Sequence, residues 1–271
     1  AGWVASVLKH RRLGSTANRP IRARVYFPVH HDAIECHERP WQAAADLRGN
    51  ESRGVKVPEG GACKVAEKCR VTYHPELVIE RYEMKPHWAE DSTFSYQRHV
   101  RKTAIPGRWV CVEIPVEAGL LLADSPVDTG LKGQFRVLHA LRDTKGVLGH
   151  WGHFNAKLYA AKRYKKDPSG GWDLDDPSEM ATEAERFAAL NRHMRLVKPY
   201  FQDCLMQEKA AEFGRAFNAT KNLPVRKVEL LRACVLEVDW DSELPQLYLA
   251  EPFLDDNAPF RKFNNNDFVP G

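Results

Sequence analysis

A strand is predicted for the stretch Ala156-Lys157-Leu158-Tyr159-Ala160-Ala161-Lys162-Arg163-Tyr164, and the other predicted elements are arranged around it. Alternate residues share one strand face, which holds Phe154, Ala156, Leu158, Ala160 and Lys162. The other residues of this face are apolar, so Lys162 needs a nearby anion, because an unpaired buried ammonium is costly. A nucleotide phosphate and a carboxylate are the usual partners of such a lysine. The alternative is an edge-strand lysine whose ammonium reaches water.

A turn with two glycines, Gly130 and Gly133, precedes this strand. The strand predicted after the turn has alternating residues at Phe135, Val137, His139 and Leu141. Glycine permits positive φ and close backbone approach, which a hairpin covering a phosphate requires. An ordinary hairpin turn uses glycine in the same way. A glycine hairpin followed by a lysine strand is also the order found in kinase N-terminal lobes.

Two helices are predicted after the lysine strand. Asp176 is the predicted N-cap of the first helix, with Pro177 and Glu179 in its first turn. Its apolar stripe consists of Phe187, Leu190, Met194 and Val197. Pro199 predicts a break or kink near its position. The second helix is predicted from about residue 200 to 217, with an inward face formed by Met206, Ala210, Phe213 and Phe217.

Asp203 shares the predicted apolar face of the second helix, three residues before Met206. A carboxylate on an apolar face usually has a cationic partner, and Lys162 is the predicted one. A strand lysine paired with a helix acid is the geometry that aligns the phosphates of a nucleotide. The alternative is an Asp favoured near the helix start by the helix dipole. The sequence leaves both interpretations open.

Further strands are predicted at residues 22–29, 109–116, 225–240 and 246–250. The strand at 225–240 is predicted to be central, because both of its faces are partly apolar. The predicted fold class is therefore α+β, with a curved, mainly antiparallel sheet and at least two helices on one side. Residues 87–109 are basic with interleaved aromatic side chains, which indicates either a target for a helix-binding partner or a solvated connector.

Composition narrows the class of protein. The net charge of +4 favours an acidic ligand such as a nucleotide but falls short of a nucleic-acid interface. The sequence contains no run of about 18 apolar residues, so no membrane span is predicted. Scattered cysteines without a CxxC pair favour a reducing, cytoplasmic location. A metal or nucleic-acid site is the weakest hypothesis, because no zinc-finger spacing is formed by His30, His31, Cys36, His37, Cys63 and Cys69.

Five blocks of the sequence resemble the alpha-type protein kinases, the atypical family that includes elongation factor 2 kinase, the myosin heavy chain kinases and the channel-linked kinases. The blocks are Lys132-Gly133-Gln134-Phe135-Arg136, Tyr159-Ala160-Ala161-Lys162-Arg163-Tyr164, Tyr200-Phe201-Gln202-Asp203 with its helix to Phe217-Asn218, Glu251-Pro252-Phe253-Leu254, and Phe260-Arg261-Lys262-Phe263-Asn264-Asn265-Asn266. The last block is the most specific. The resemblance covers residues 95–271, with a predicted insertion at about 165–199, and leaves 1–94 as a region of unknown role.

The resemblance implies a serine/threonine protein kinase that uses Mg-ATP on a protein substrate. Lys162 would contact the ATP phosphates, Asp203 would orient that lysine, and Arg136 would lie on the strand above the phosphates. Glu251 and Leu254 would offer hinge backbone groups to the adenine. Such roles suit phosphoryl transfer, which depends on positioning and charge neutralisation more than on covalent chemistry.

The second lobe of the family carries an Asp-x-Gln-Gly segment for magnesium and catalysis, and a His/Cys zinc site. Neither is found in this sequence, so we expect a fragment: an N-terminal lobe with hinge that binds nucleotide but does not transfer phosphate alone. The alternative is a non-catalytic, pseudokinase-like scaffold. Its basic segment 88–109 would bind a calmodulin-like regulator, because that segment is loosely similar to the calmodulin-binding region before the kinase domain in elongation factor 2 kinase.

Overall fold

The computed structural model describes residues 18–29, 68–127, 135–151, 156–168, 170, 173–219 and 232–253, without the side chains of 150–151 and 214–219. The strands in these ranges are β1 (Asn18–Pro20), β2 (Ala23–Pro28), β3 (Arg70–His74), β4 (Leu77–Trp88), β5 (Phe94–Ile105), β6 (Trp109–Ile114), β7 (Leu120–Ala123), β8 (Arg136–Asp143), β9 (Leu158–Tyr164), β10 (Cys234–Val238) and β11 (Gln246–Pro252). The α-helices are α1 (Val147–Trp151), α2 (Glu183–Arg195) and α3 (Val197–Ala219).

Most strands belong to one curled antiparallel sheet, which confirms the predicted sheet type. Its order is β1-β7-β8-β9-β11-β10-β2-β6-β3, while β4 and β5 form a separate hairpin. The lysine strand β9 lies between β8 and β11. Strand β10 lies between β11 and β2 with every residue buried, which confirms the prediction of a central strand. This strand was predicted to begin at residue 225. Residues 232–233, the only described residues of the predicted range before Cys234, are not in the strand, so the prediction is wrong for them.

The sheet separates two apolar clusters, because successive strand side chains point to opposite faces. Tyr159 and Ala161 of β9 belong to the first cluster, with Val147 and Leu148 of α1. Tyr164 of β9 belongs to the second cluster, together with Leu249 of β11. Helix α3 contributes Phe201 and Cys204 to this cluster, and the β4–β5 hairpin contributes Ile79 and Ile105. Lys162 lies two residues from Tyr164 and therefore shares the face that α3 covers.

The two predicted helices are one long helix bent at Leu196, where α2 ends and α3 begins. The bend lies three residues before Pro199, near the predicted position, and the proline is tolerated in the first turn of α3 because it replaces an N–H that has no helical partner there. The start of α2 also differs from the prediction. Asp176 caps only a 3-10 turn over Pro177–Glu179, and Thr182 caps α2 through a reciprocal capping box with Glu185. The predicted α2 stripe is buried.

The predicted inward face of α3 is wrong. Met206 is 65% exposed and Phe213 is 72% exposed, whereas Phe201 and Cys204 are fully buried. Phe201 sets the rotation of the helix, because its ring packs edge-on against Trp109 with a centroid distance of 4.9 Å. This rotation turns the carboxylate of Glu208 inward, where it pairs with Arg232 at 2.8 Å. The buried side chains among the described positions of α3 are those of Val197, Tyr200, Phe201, Cys204, Glu208 and Ala211.

The basic segment at residues 87–109 lies mostly in strands and is not the predicted connector, and its alternative role as a target for a helix-binding partner stays a prediction. It contains the end of β4, all of β5 and the first residue of β6. The hairpin is fastened to the sheet by buried polar groups: Arg81 pairs with Glu237 of β10, whose other carboxylate oxygen accepts a hydrogen bond from Tyr26 at 2.8 Å. Alternation along β4 buries Arg81 and Glu83 beside Leu77 and Ile79.

Strands from both sides of residue 94 share one sheet. Strand β2 pairs with β10 and β6, and β3 pairs with β6. The predicted boundary at residue 94 falls at the first residue of β5, between the two strands of the hairpin. Within the described ranges, no helix has both the length and the apolar character needed to cross a membrane.

Candidate functional site

Lys162 lies on a central strand, with Leu138 of β8 and Leu249 of β11 directly opposite it. Its ammonium is bonded to the carboxylate of Glu251, and its side chain is 32% exposed. Glu251 of β11 lies opposite Ala160 of β9, so Glu251 and Lys162 are diagonal cross-strand neighbours. The anion that an apolar strand face predicts for Lys162 is therefore a strand carboxylate. The predicted pairing of Lys162 with Asp203 is not formed.

Glu251 connects the lysine strand to α3. Its Oε1 faces Lys162, and its Oε2 accepts a hydrogen bond from Nε2 of Gln207 at 2.6 Å. The Glu251 side chain is only 13% exposed, so these contacts replace much of its water. A largely desolvated carboxylate needs such partners on its oxygens to offset the cost of leaving water.

Asp203 binds a second cation, Arg136 of β8. The Asp203 carboxylate accepts from the Arg136 guanidinium and from the hydroxyl of Tyr164, and Arg136 also donates to that hydroxyl at 3.0 Å. The guanidinium lies 4.8 Å from the centroid of the Tyr164 ring. Asp203 thus has a cationic partner, as predicted, but that partner is Arg136 and not Lys162.

Tyr164 is held as a neutral hydrogen-bond donor. Burial, followed by the hydrogen bond to Asp203, raises the pKa of Tyr164 to about 12. At neutral pH its hydroxyl therefore carries the proton that Asp203 accepts. The backbone N–H of Tyr164 donates to the hydroxyl of Tyr200 at 2.8 Å, which fixes the first turns of α3 against β9.

The two cations lie on one face of the sheet. Arg136 is directly opposite Tyr164, two residues along β9 from Lys162. Diagonal neighbours on one sheet face have Cα atoms about 7–8 Å apart, a spacing within reach of successive phosphates of a nucleotide. Asp203 and Gln207, one helical turn apart on α3, face the two cations from the other side of the site. This arrangement can hold a polyanion.

The described residues do not fit a magnesium site. Magnesium is bound by carboxylates together with phosphate oxygens, and Asp203 and Glu251 are each already bonded to a cation. In the part of the chain that the structure describes, no group of three or more His, Cys, Asp or Glu side chains could hold a metal ion. Of the His/Cys cluster at residues 30–69, only Cys69 is described.

Several predicted elements of the site lie outside the described residues. They are the glycine turn at 128–134, Leu254 and the motif at 260–266. The structure adds two residues that were not assigned a role, Tyr164 and Gln207. A signal for each was present: Tyr164 shares the strand face of Lys162 at period two, and Gln207 lies four residues after Asp203.

The chain was compared with known proteins. No curated protein matches it. A family model described as the alpha-kinase family matches residues 132–270. The matched range contains β8, β9, α3 and β11, the elements that carry Arg136, Lys162, Asp203 and Glu251. The resemblance seen in the sequence is confirmed, and the chain belongs to the alpha-kinase family.

Proposed function

We propose that this chain is the ATP-binding lobe of a serine/threonine protein kinase that transfers the γ-phosphoryl group of ATP to a protein substrate. Family membership implies a protein kinase. One observation carries the assignment to this site: Lys162 and Arg136 come from adjacent strands on one sheet face, and each is aimed by a carboxylate. A phosphate-binding role accounts for this spacing of two cations.

Lys162 and Arg136 would hold the phosphates of ATP, which supplies the phosphoryl group to be transferred. Both side chains are about two-thirds covered, so their charges are less screened than charges in open water. Arg136 presents a planar fork that suits phosphate oxygens, while Lys162 supplies a compact point charge. Glu251 and Asp203 keep the two cations in place, so little reorganisation is needed when phosphate binds.

We place the adenine at the hinge, residues 251–254. Strand β11 ends at Pro252, and the N–H of Phe253 still donates to the carbonyl of Leu158 at 2.9 Å. Glu251 is opposite Ala160, in the same phase of the antiparallel ladder, so its backbone groups face β9 and this register gives no support to their contact with adenine. A role for the backbone of Glu251 and Leu254 in binding adenine stays a prediction.

Titration calorimetry with Mg-ATP on the native chain and on Lys162→Ala tests the proposal. Loss of a charge-assisted contact of about 1.5–3 kcal/mol should weaken ATP binding about 10- to 100-fold. Lys102→Ala is the matched control, because Lys102 also pairs with a carboxylate, Glu80 at 2.9 Å, but on the hairpin and 69% exposed. The control should bind ATP like the native chain. Equal affinity of Lys162→Ala and the native chain would contradict the assignment.

A further inference from the structure

We propose that Gln207 is a positioning residue for Lys162 and acts through Glu251, an inference that rests on the proposed function. Gln207 lies on α3, and its side-chain amide reaches the carboxylate of β11 that holds the lysine of β9. The helix is thereby connected to Lys162 through Glu251. Lys162 would thus be positioned in two steps. The amide of Gln207 orients the carboxylate of Glu251, and that carboxylate then positions the ammonium of Lys162.

The first step fixes the plane of the carboxylate. Gln207 Nε2 donates to Oε2 of Glu251 at 2.6 Å, which leaves Oε1 for Lys162. Without this donor, the carboxyl group of Glu251 can rotate about its terminal torsion, which has a broad energy minimum. The ammonium of Lys162 is at the end of a flexible four-carbon stem, so its position depends on where that oxygen lies.

The absence of a net charge on the side chain of residue 207 also matters. An acid at this position would place another negative charge beside Glu251 and compete for Lys162. A lysine would bind Glu251 itself and release Lys162. Glutamine donates a hydrogen bond without a net charge, so it orients the carboxylate and leaves the Lys162–Glu251 pair intact.

The spacing of Gln207 and Asp203 on α3 connects both cations to one helix. The two are four residues apart, so they share one helix face. Asp203 binds Arg136 directly, and Gln207 binds Lys162 through Glu251. Because the start of α3 is fixed by the Tyr164–Tyr200 hydrogen bond of 2.8 Å, one rigid helix sets the distance between both cations.

Calorimetric titration of Gln207→Met with ATP and with adenosine tests the inference. Methionine keeps the length of the side chain but has no N–H donor. We expect ATP affinity to fall about tenfold, as for loss of a hydrogen bond to a charged group, with adenosine affinity unchanged because Lys162 serves the phosphates. Gln207→Asn, whose amide is one methylene too short, should show the same loss. The control is Gln202→Met, at an exposed position of the same helix.

A double-mutant cycle with Lys162→Ala shows whether Gln207 acts through the lysine. In that background Gln207→Met should cause no further loss of ATP affinity. An unchanged ATP affinity of Gln207→Met, an equal loss for ATP and adenosine, or additive losses in the cycle would each overturn the inference. If Lys162→Ala itself binds ATP normally, the proposed function fails as well, whereas a loss in Lys162→Ala alone rejects only the role of Gln207.

Discussion

At the scale of single residues, Tyr164 shows how the site combines packing with hydrogen bonding. Its ring is buried between Arg136 and the start of α3, while its hydroxyl donates to Asp203. The tyrosine therefore keeps Asp203 oriented toward Arg136 and also covers it from water. A phenylalanine preserves the packing and removes only the hydroxyl, so the two contributions can be measured separately.

We expect Tyr164→Phe to lower the free energy of unfolding by about 1–3 kcal/mol at pH 8, as for loss of a hydrogen bond to a carboxylate. Urea denaturation measures this difference. Arg136→Lys keeps the charge and the tyrosine but loses the guanidinium fork, and so provides a comparison within the same cluster. Equal stability of Tyr164→Phe and the native chain would mean that the hydroxyl contributes nothing net.

The same variant should change how stability depends on pH. Because the pKa of Tyr164 is raised to about 12 in the folded state, its contribution is fully present below the unfolded value of about 10. That contribution is lost as the pH rises through about 12. The stability difference between the native chain and Tyr164→Phe should therefore shrink between pH 10 and 12. A difference that stays constant over this range would contradict the assigned shift.

The residues of the site were predictable to different degrees. An apolar strand face with one lysine predicts an anion beside Lys162, and one is present. Which carboxylate supplies it was not predictable, because the pairing of β9 with β11 depends on contacts between distant parts of the chain. Asp203 was correctly singled out as a carboxylate with a cationic partner, and only the identity of that cation differed.

At the scale of elements, the β4–β5 hairpin depends on a buried ion pair. Arg81 is 8% exposed and Glu237 1% exposed at the side chain. We expect Arg81→Met to lower stability by about 3–5 kcal/mol, because it leaves the buried Glu237 charge without its cation. Denaturant unfolding followed by tryptophan fluorescence measures the loss.

Two further variants separate the buried charge from simple loss of packing. The double variant Arg81→Met with Glu237→Met should recover much of the lost stability, because neither charge of this pair remains. Lys102→Ala, at the exposed pair with Glu80 on the same hairpin, should change stability by no more than about 1 kcal/mol. A double variant as unstable as Arg81→Met alone would contradict this explanation.

Helix α2 depends on its capping box. Thr182→Ala removes the acceptor for the N–H of Glu185, at 3.2 Å, and should cost about 1 kcal/mol of unfolding free energy. Thr182→Ser keeps the hydroxyl and should retain most of the stability. Thermal unfolding of the two variants compares them, and an equal loss in both would show that the threonine methyl group matters more than the cap.

Elements were best predicted where apolar side chains alone decide the pattern. The buried stripe of α2 and the apolar positions of β10 are such cases. The face of α3 was predicted wrongly because buried Glu208 is paired with Arg232, and a hydrophobic pattern places a carboxylate outside. The β4–β5 hairpin was missed because its many charged residues are typical of a solvated segment. In the structure these residues pair with each other across the strands, as Arg101 and Glu83 do at 2.6 Å.

At the scale of the whole molecule, strands from the first and last parts of the described chain are neighbours in one sheet. Strand β2 fills the position between β10 and β6 and buries Ala23, Val25 and Tyr26. We therefore expect residues 95–271 alone not to fold, although the sequence resemblance is confined to them. Circular dichroism and ATP titration of this piece measure the effect. A folded piece that binds ATP like the full chain would support the predicted boundary at residue 94.

The position of β2 also has a consequence for synthesis. Tyr26 and Glu237, which bond to each other in the finished sheet, are 211 residues apart in the chain. At about 5–20 residues per second, a ribosome needs roughly 10–40 s to deliver the partner of β2 after β2 itself has emerged. Strand β2 can pair early with β6, but its other edge must stay open for that interval. The nascent chain thus exposes a hydrophobic strand edge that pairs readily with other chains, so protection by chaperones during translation should matter more for this protein than its final stability indicates.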